Sequence, residues 1–126
     1  MAGARSRPAT ETFAKAVNEV FLVGRLSGEP VLRALPSGDE ILSWRLVIDR
    51  EDAGSITAGR RTPTVDTIDC VAHKRALKRL VARWAPGDVV EVRGALRRRF
   101  WRGSHGVASR CEVEVTEARK AQTNHC

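Results

Sequence analysis

Residues 65–99 read VDTIDCVAHKRALKRLVARWAPGDVVEVRGALRRR, and this stretch decides the fold. Its first part, from Val65 to His73, alternates with a period of two, which is typical of a strand with one buried face. The alternation predicts a core side of Ile68, Cys70 and Ala72 and an outer side of Thr67, Asp69, Val71 and His73. The stretch therefore begins as a β-strand.

The second part of the stretch changes to a helical period. Apolar residues recur at i, i+3, i+4 and i+7, namely Leu77, Leu80, Val81 and Trp84. Pro86 and Gly87 then end the predicted helix. From Val89 to Arg99 the alternation returns, and it predicts an inward side of Val90, Val92, Gly94 and Leu96. The stretch thus predicts a strand, one short helix and another strand.

Two strands are predicted before this stretch. The first is Val20 to Leu26, where Gly24 indicates a bulge or a sharp bend, and residues 31–35 are a possible second leg of it. After a turn at residues 36–39, Glu40 to Asp49 alternates strongly. Its predicted core side is Leu42, Trp44, Leu46 and Ile48, and its outer side is Ile41, Ser43, Arg45, Val47 and Asp49. Residues 51–63 are read as a loop without periodicity.

One further strand follows the stretch. Residues 103–106, Gly-Ser-His-Gly, predict a hairpin loop, after which Cys111, Val113 and Val115 mark an inward face. The element order is then β-β-β-α-β-β, which predicts an all-β protein, a five-stranded Greek-key barrel of the OB-fold with one short helix between strands 3 and 4. We expect the domain at residues 18–119, a flexible arm at 1–17 and a short polar end at 120–126.

Composition restricts the class of protein and its location. The chain has 126 residues and a formal net charge of +7, and 42% of its residues are hydrophobic, which suits one packed core. It contains no apolar run long enough for a membrane span and no signal-peptide pattern. The three cysteines, Cys70, Cys111 and Cys126, are too widely spaced for a disulfide framework. We therefore expect a cytoplasmic, nucleoid-associated protein.

The basic charge is concentrated in one segment. Ten basic residues lie between Lys74 and Arg102, against only Asp88 and Glu91 in the same span. A local excess of this kind favours a polyanionic partner, most simply nucleic acid, over a merely solubilising surface.

The end of the fourth strand combines cations with aromatic rings. Arg93, Arg97, Arg99 and Trp101 are in phase on one side if no bulge intervenes, and Phe100 follows the last arginine. Guanidinium groups that follow phosphates, beside a ring that stacks on bases, are what single-strand binding requires. The alternative is a twisted hairpin whose Trp101 covers the barrel end. The candidate nucleic-acid-binding residues are Trp101, Phe100, Arg97, Arg99, Arg93, Arg102, His73, Lys74 and Arg45.

Catalysis and metal binding find little support in the sequence. No phosphate-binding loop, zinc-protease helix or nucleophile elbow is present. Cys70 and His73 lie three apart, but a strand sends them to opposite faces. Trp44 and Trp84 follow apolar stripes and are expected in the core. We therefore expect no enzyme, no cofactor and no metal site.

Several segments resemble bacterial single-stranded DNA-binding proteins, in order and in spacing. The similarity to the opening of that family lies in residues 18–26, 29–33 and 36–38. The similarity to the end of its third strand lies in residues 72–76, that to its fourth strand in residues 87–97, and that to the exit from the fourth strand in residues 99–101. The resemblance, over about residues 18–118, implies an OB-fold that binds single-stranded DNA with little sequence preference, usually as a homotetramer. It implies a base-stacking role for Trp101. His73 falls on a position that is often Phe and Thr67 on one that is often Trp, while a further stacking position lies near Asp52.

The resemblance also has a departure at the end of the chain. Family members that serve replication generally end in a disordered tail with a short acidic, hydrophobic tip that recruits partner enzymes. This sequence ends Thr123-Asn124-His125-Cys126, without such a tip. The resemblance therefore implies a tail-less paralogue or accessory protein in DNA replication, repair, recombination or DNA uptake, whose partner proteins are unknown.

Two other functions remain open from the sequence. The first is a protein-interaction module, such as a primosome-type OB-fold protein whose basic face meets an acidic tail. The second is single-stranded RNA binding, since nothing in the sequence identifies a group that reads the 2′-hydroxyl.

Overall fold

The computed structural model describes residues 15–51, 56–57, 60–61 and 64–122. Within these ranges the chain forms eight strands and one helix. They are β1 Val20–Leu26, β2 Val31–Ala34, β3 Glu40–Asp49, β4 Ile56–Thr57, β5 Arg60–Arg61, β6 Val65–Ala72, α1 Arg75–Val81, β7 Val89–Gly103 and β8 Gly106–Gln122. Residues 1–14 of the predicted arm at 1–17, and the last four residues of the chain, lie outside the described part.

Five of the strands close into a barrel. The sheet order is β1-β7-β8-β6-β3-β2, and β1 also pairs with β3 through Arg25 opposite Val47 and Leu26 opposite Leu46. All pairs are antiparallel except β6 with β8, where Cys70 lies opposite Val113. The single α-helix in the described part lies between β6 and β7. The predicted OB-fold class is therefore confirmed.

The barrel core is formed by the predicted inward residues. Leu42, Trp44 and Leu46 are buried, as are Val90 and Val92. The Trp44 ring meets the Trp84 ring edge-on, with centroids 5.9 Å apart, so both indoles belong to the core as expected. Because Cys70 is buried here, and because Asp69 and Glu112 lie near it, the pKa of its thiol rises to about 12.

Two glycines permit close approach between strands. At Gly24, where a bulge or a sharp bend was expected, the ladder with β7 is unbroken and a bulge is absent. A Cβ there would lie 2.8 Å from the Val47 carbonyl oxygen. At Gly94 a Cβ would collide with the Glu114 carbonyl, beside a register shift between Arg93 and Gly94. Only glycine fits these positions, because the barrel brings a neighbouring backbone against them.

The β7–β8 hairpin continues beyond the barrel. β7 runs to Gly103 rather than Arg99, and Ser104 and His105 form the turn to β8. Leu96 and Cys111 were predicted to point into the core, and this is wrong, because both are exposed, Leu96 by 49%. Where the hairpin projects beyond the barrel, no strand packs against its inward side. The alternation of apolar and polar residues therefore no longer predicts burial there.

Several other expectations need correction. Ile41 and Val71 lie on the predicted outer sides of their strands but are nevertheless buried, because they lie in a depression beneath the side chains of the β7–β8 hairpin. Leu80, placed on the core stripe of the helix, is 38% exposed. The predicted loop 51–63 contains the short β4–β5 ribbon.

Two strands also differ from those predicted from the sequence. Val31–Ala34 forms a hairpin with β3 rather than a continuation of β1, and β8 extends past Arg119 to Gln122. In the described part of the chain, no helix has the length and apolar character needed to cross a membrane.

Candidate nucleic-acid interface

One outer face of the sheet collects most of the predicted site residues. Residues that pair directly across antiparallel strands share a face. Arg97 lies opposite Glu112 and Arg99 opposite Arg110, while Arg45 lies opposite Asp69 on the neighbouring strands. We call this surface the sheet face, and its members are Arg45, Asp69, Val71, His73, Arg97, Arg99, Trp101, Arg110, Glu112 and Glu114.

Carboxylates hold the arginines at one end of the sheet face. Arg45 Nε donates a hydrogen bond to Asp69 Oδ1 at 3.0 Å. Arg110 Nε lies 3.6 Å from the other oxygen of the same carboxylate. Asp69 therefore bridges two guanidinium groups that come from different strands.

Similar pairs hold the two arginines that β7 contributes to the sheet face. Arg97 Nε donates to Glu114 Oε1 at 2.9 Å, and His73 Nε2 lies 3.8 Å from Glu114 Oε2. Arg99 Nη1 lies 3.4 Å from Glu112 Oε2, whose side chain is only 6% exposed. The positive charge of the sheet face is thus largely balanced within the protein.

The sequence interpretation missed these acidic partners and Arg110. The signal that could have found those on β8 is the hairpin turn, because a two-residue turn at Ser104 and His105 sets every pair of β7 and β8 from Gly94–Val115 to Gly103–Gly106. That register places Glu112 opposite Arg97 and Arg110 opposite Arg99.

Trp101 is available for stacking at the outer end of the sheet face. Its side chain is 49% exposed, and the residue opposite it on β8 is Ala108. Because alanine is small, it does not cover the indole. An exposed indole offers a flat apolar surface to a nucleic-acid base of any identity.

A shallow groove crosses the sheet face. One depression of about 310 Å³ is lined by Ile41, Val71, Arg97 and Arg99, together with Glu112 and others. A second, of about 300 Å³, is lined by Arg33, Arg45, Arg110 and the residues 27–29 loop, and it shares Val71 and Glu112 with the first. The two depressions therefore adjoin, with Val71 and the buried Glu112 carboxylate between them and arginines along the sides.

Four predicted residues lie apart from this groove. The Arg93 guanidinium stacks 4.3 Å above the Phe21 ring centroid and lines a different depression. Phe100 and Arg102 occupy the alternate positions of β7, on the side of the hairpin opposite Trp101, and Phe100 is 66% exposed. Lys74 is exposed and precedes α1. The structure thus divides the nine candidates between several surfaces.

The family resemblance also suggests base-stacking positions at Thr67 and near Asp52. Thr67 is exposed on β6, opposite Val47, and offers no ring for stacking. The position near Asp52 lies outside the described residues. Within the described ranges, no group of three or more His, Cys, Asp or Glu residues could hold a metal ion.

The closed five-stranded barrel, with a helix between β6 and β7 and an arginine-lined sheet face ending in an aromatic, defines an OB-fold protein. Comparison with protein families agrees: residues 17–121 match the single-strand binding protein family. The chain belongs to that family.

Individual relatives show how far the similarity extends. The single-stranded DNA-binding protein of Oceanobacillus iheyensis is 32% identical over 101 residues, which cover 80% of this chain and 58% of that protein. Single-stranded DNA-binding protein 1 of Staphylococcus aureus is 28% identical over 114 residues, 86% of this chain and 66% of that protein. This chain therefore spans somewhat more than half the length of such relatives.

A solved structure supports the fold. The Plasmodium falciparum SSB complex with ssDNA superposes with a TM-score of 0.70 at 19% identity, covering 86% of this chain and 97% of that one. At this identity the likeness concerns the fold.

Proposed function

We propose that this protein binds single-stranded DNA with little sequence preference, through the sheet face, and that it is a binding protein rather than an enzyme. The observation that carries the proposal is the half-exposed Trp101 at the end of a groove lined by Arg97 and Arg99. Family membership supports it, as do the relatives named as single-stranded DNA-binding proteins.

In the proposed complex the bases lie toward the sheet and the phosphates toward the arginines. Trp101 stacks on one base, and His73 offers a second, smaller ring at the other end of the same face. Arg45, Arg97 and Arg99 contact phosphates or stack on bases, since guanidinium groups do both. None of these contacts reads a base edge, which is consistent with little sequence preference.

The other candidate residues have secondary roles in the proposed complex. Phe100 and Arg102 reach a strand that passes around the tip of the hairpin, and Lys74 extends the face beyond His73. Arg93 joins the site only if the strand also crosses the Phe21 depression.

We also propose that the protein acts as a homo-oligomer, either a dimer or a tetramer, in DNA replication, repair, recombination or DNA uptake, at the nucleoid. The support for self-association is the open edge of β1. Its residues Val20–Gly24 pair with β7, whereas only Arg25 and Leu26 pair with β3. An open edge with exposed Phe21 and Val23 is suited to pairing with a second copy.

The test of the binding proposal is fluorescence anisotropy of a labelled oligo-dT strand of about 35 nucleotides, which exceeds the usual OB-fold site. We expect tight, salt-sensitive binding that an equal-length duplex does not displace. Equal displacement by the duplex would indicate general attraction to polyanions and contradict the proposal.

Matched competitors separate the remaining alternatives. An RNA oligomer of the same sequence and length that competes better than DNA would favour a single-stranded RNA binder. Weak binding to both oligomers would favour the protein-interaction module instead. Both competitors are added to the same complex, so the three outcomes are directly comparable.

A further inference from the structure

The sheet face and the helix differ in how their positive charges are balanced. Arg45, Arg97 and Arg99 each have a carboxylate partner within 3.4 Å. The sequence around α1, in contrast, contains no acidic residue between Asp69 and Asp88. The positive charge of residues 70–87 therefore has no acidic residue of the same segment to balance it, and this charge lies on and around α1, beside the sheet face.

Four cations lie in α1 or directly beside its ends, and each is exposed. Among the residues that the structure describes, none of their side chains has an ion pair or hydrogen bond. We call them the helix patch, and they are Lys74, Arg75, Arg79 and Arg83.

The spacing of the helix patch directs it away from the core. Arg75 and Arg79 are four residues apart and so lie on one side of α1. Leu77 and Val81, also four apart, are buried on the other side. Lys78 is not part of the patch, because its Nζ donates to the Glu40 carbonyl at 2.8 Å and ties the helix to β3.

The helix patch begins where the sheet face ends. His73, the last residue before the patch, lies 3.8 Å from the Glu114 carboxylate, which also accepts the Arg97 hydrogen bond. A strand that follows the groove past Arg97 and His73 reaches Lys74 next, without crossing an acidic side chain of α1. Trp84 is buried, so the helix offers no exposed aromatic ring to a base.

We propose that the helix patch binds the phosphates of the same single strand after it leaves the sheet face. This inference rests on the proposed function and divides it between two surfaces. The sheet face, which has little net charge, binds the bases. The helix patch binds the phosphates, and no base stacks on it. Binding to the patch therefore depends on strand length and salt but not on base identity.

The test compares two oligo-dT lengths, about 8 and about 35 nucleotides, with three proteins. These are the unaltered chain, Arg79→Gln/Arg83→Gln, and the matched control Arg25→Gln/Arg119→Gln. The control removes the same charge from residues that pair with Asp49 and Glu91, away from the groove. Each affinity is measured at several salt concentrations, and thermal melting establishes that each variant folds.

We expect Arg79→Gln/Arg83→Gln to weaken binding of the long strand about five- to thirtyfold at low salt. Its log–log salt slope becomes shallower by about 0.7 for each phosphate that the variant no longer neutralises. Binding of the short strand stays unchanged, and the control behaves like the unaltered chain on both lengths. If this variant does not fold, Arg75→Gln/Arg79→Gln takes its place.

Three results would overturn the inference. Unchanged long-strand binding by the variant would remove the helix patch from the DNA path. Equal weakening for both lengths would place it in the primary site, and equal weakening of the long strand by the control variant would show that net charge alone is responsible. Failure of the proposed function differs from all of these, because the unaltered chain would then show no preference for either oligo-dT over duplex.

Discussion

At the scale of single residues, Trp101 is the side chain whose environment most directly suggests a function. The chain has three tryptophans, and the other two, Trp44 and Trp84, are each only 5% exposed in the core. A change in intrinsic fluorescence on binding therefore reports mainly on Trp101.

Substituting Trp101 tests its stacking role. We expect Trp101→Ala to weaken single-strand binding roughly ten- to a hundredfold, because stacking contributes about 1–3 kcal/mol per base. Trp101→Phe retains a ring and should weaken binding much less. Anisotropy titration measures both, and the change in intrinsic fluorescence that we expect for the unaltered chain should disappear in both. An unchanged affinity in folded Trp101→Ala would remove this residue from the site.

Glu114 is the second residue with a testable role, because it places a negative charge on the proposed DNA path. Glu114→Gln removes that charge while its amide oxygen can still accept from Arg97. We expect a two- to fivefold gain in affinity at low salt, the order of about 0.5–1 kcal/mol typical of exposed charge interactions.

The matched control for Glu114 is Glu91→Gln, which also removes one negative charge. Glu91 pairs with Arg119 at 3.0 Å, outside the sheet face. A similar gain with Glu91→Gln would show that net charge alone is responsible. A weaker affinity with Glu114→Gln would show that the carboxylate mainly orients Arg97.

At the scale of elements, the connection from α1 to β7 depends on one carboxylate. Asp88 Oδ2 accepts the Ala85 backbone N–H at 2.8 Å and lies 3.3 Å from Lys120 Nζ on β8. The Ala85 hydrogen bond is the largest cause that lowers the pKa of Asp88 below its usual 3.8, and Lys120 adds to it. Asp88 thereby ties the end of the helix to the last strand.

The stability contributed by Asp88 should depend on pH. Because its pKa is lowered on folding, its contribution is complete above the usual value of 3.8 and is lost as the pH falls below it. We expect Asp88→Asn to lower the urea midpoint near neutral pH, with the difference shrinking toward pH 3. A difference that stays constant over this range would mean that the charge of Asp88 is unimportant.

At the scale of the whole molecule, two edges of the sheet are available for the proposed association of copies. β1 has an open edge at Val20–Gly24, and β2 lies at the end of the sheet order. Since Val23 on β1 and Leu32 on β2 are both exposed, each edge offers an apolar side chain to a neighbour. The proposed oligomer uses the β1 edge.

A pair of lysine substitutions distinguishes the two edges. We expect Val23→Lys to convert the oligomer to monomer, because a charge on an edge strand opposes pairing with another copy. Leu32→Lys adds the same charge to the β2 edge and should leave the assembly unchanged. Light scattering coupled to size exclusion measures the mass of each. Dissociation by Leu32→Lys alone would place the contact at β2.

Much of the fold is predicted by the alternation of apolar and polar residues along the chain. The order of strands and helix, the burial of Trp44, Leu46 and Val92, and the turn at Ser104 and His105 all follow from local periodicity and turn chemistry. These features depend on near neighbours in the chain, which is why the sequence by itself determined them. The OB-fold followed from their order.

Only the tertiary structure decided which side chains meet on the sheet face. Ile41 and Val71 are buried and Leu96 is exposed because the barrel closes at one point along the β7–β8 hairpin and leaves the rest projecting. The hairpin turn brings Glu112 and Glu114 to the arginines of β7, but the pairing of Asp69 with Arg45 and Arg110 depends on strands that are distant in the sequence. Local periodicity assigns a residue to a side of its own strand, but burial and charge pairing depend on what the other strands bring to that side.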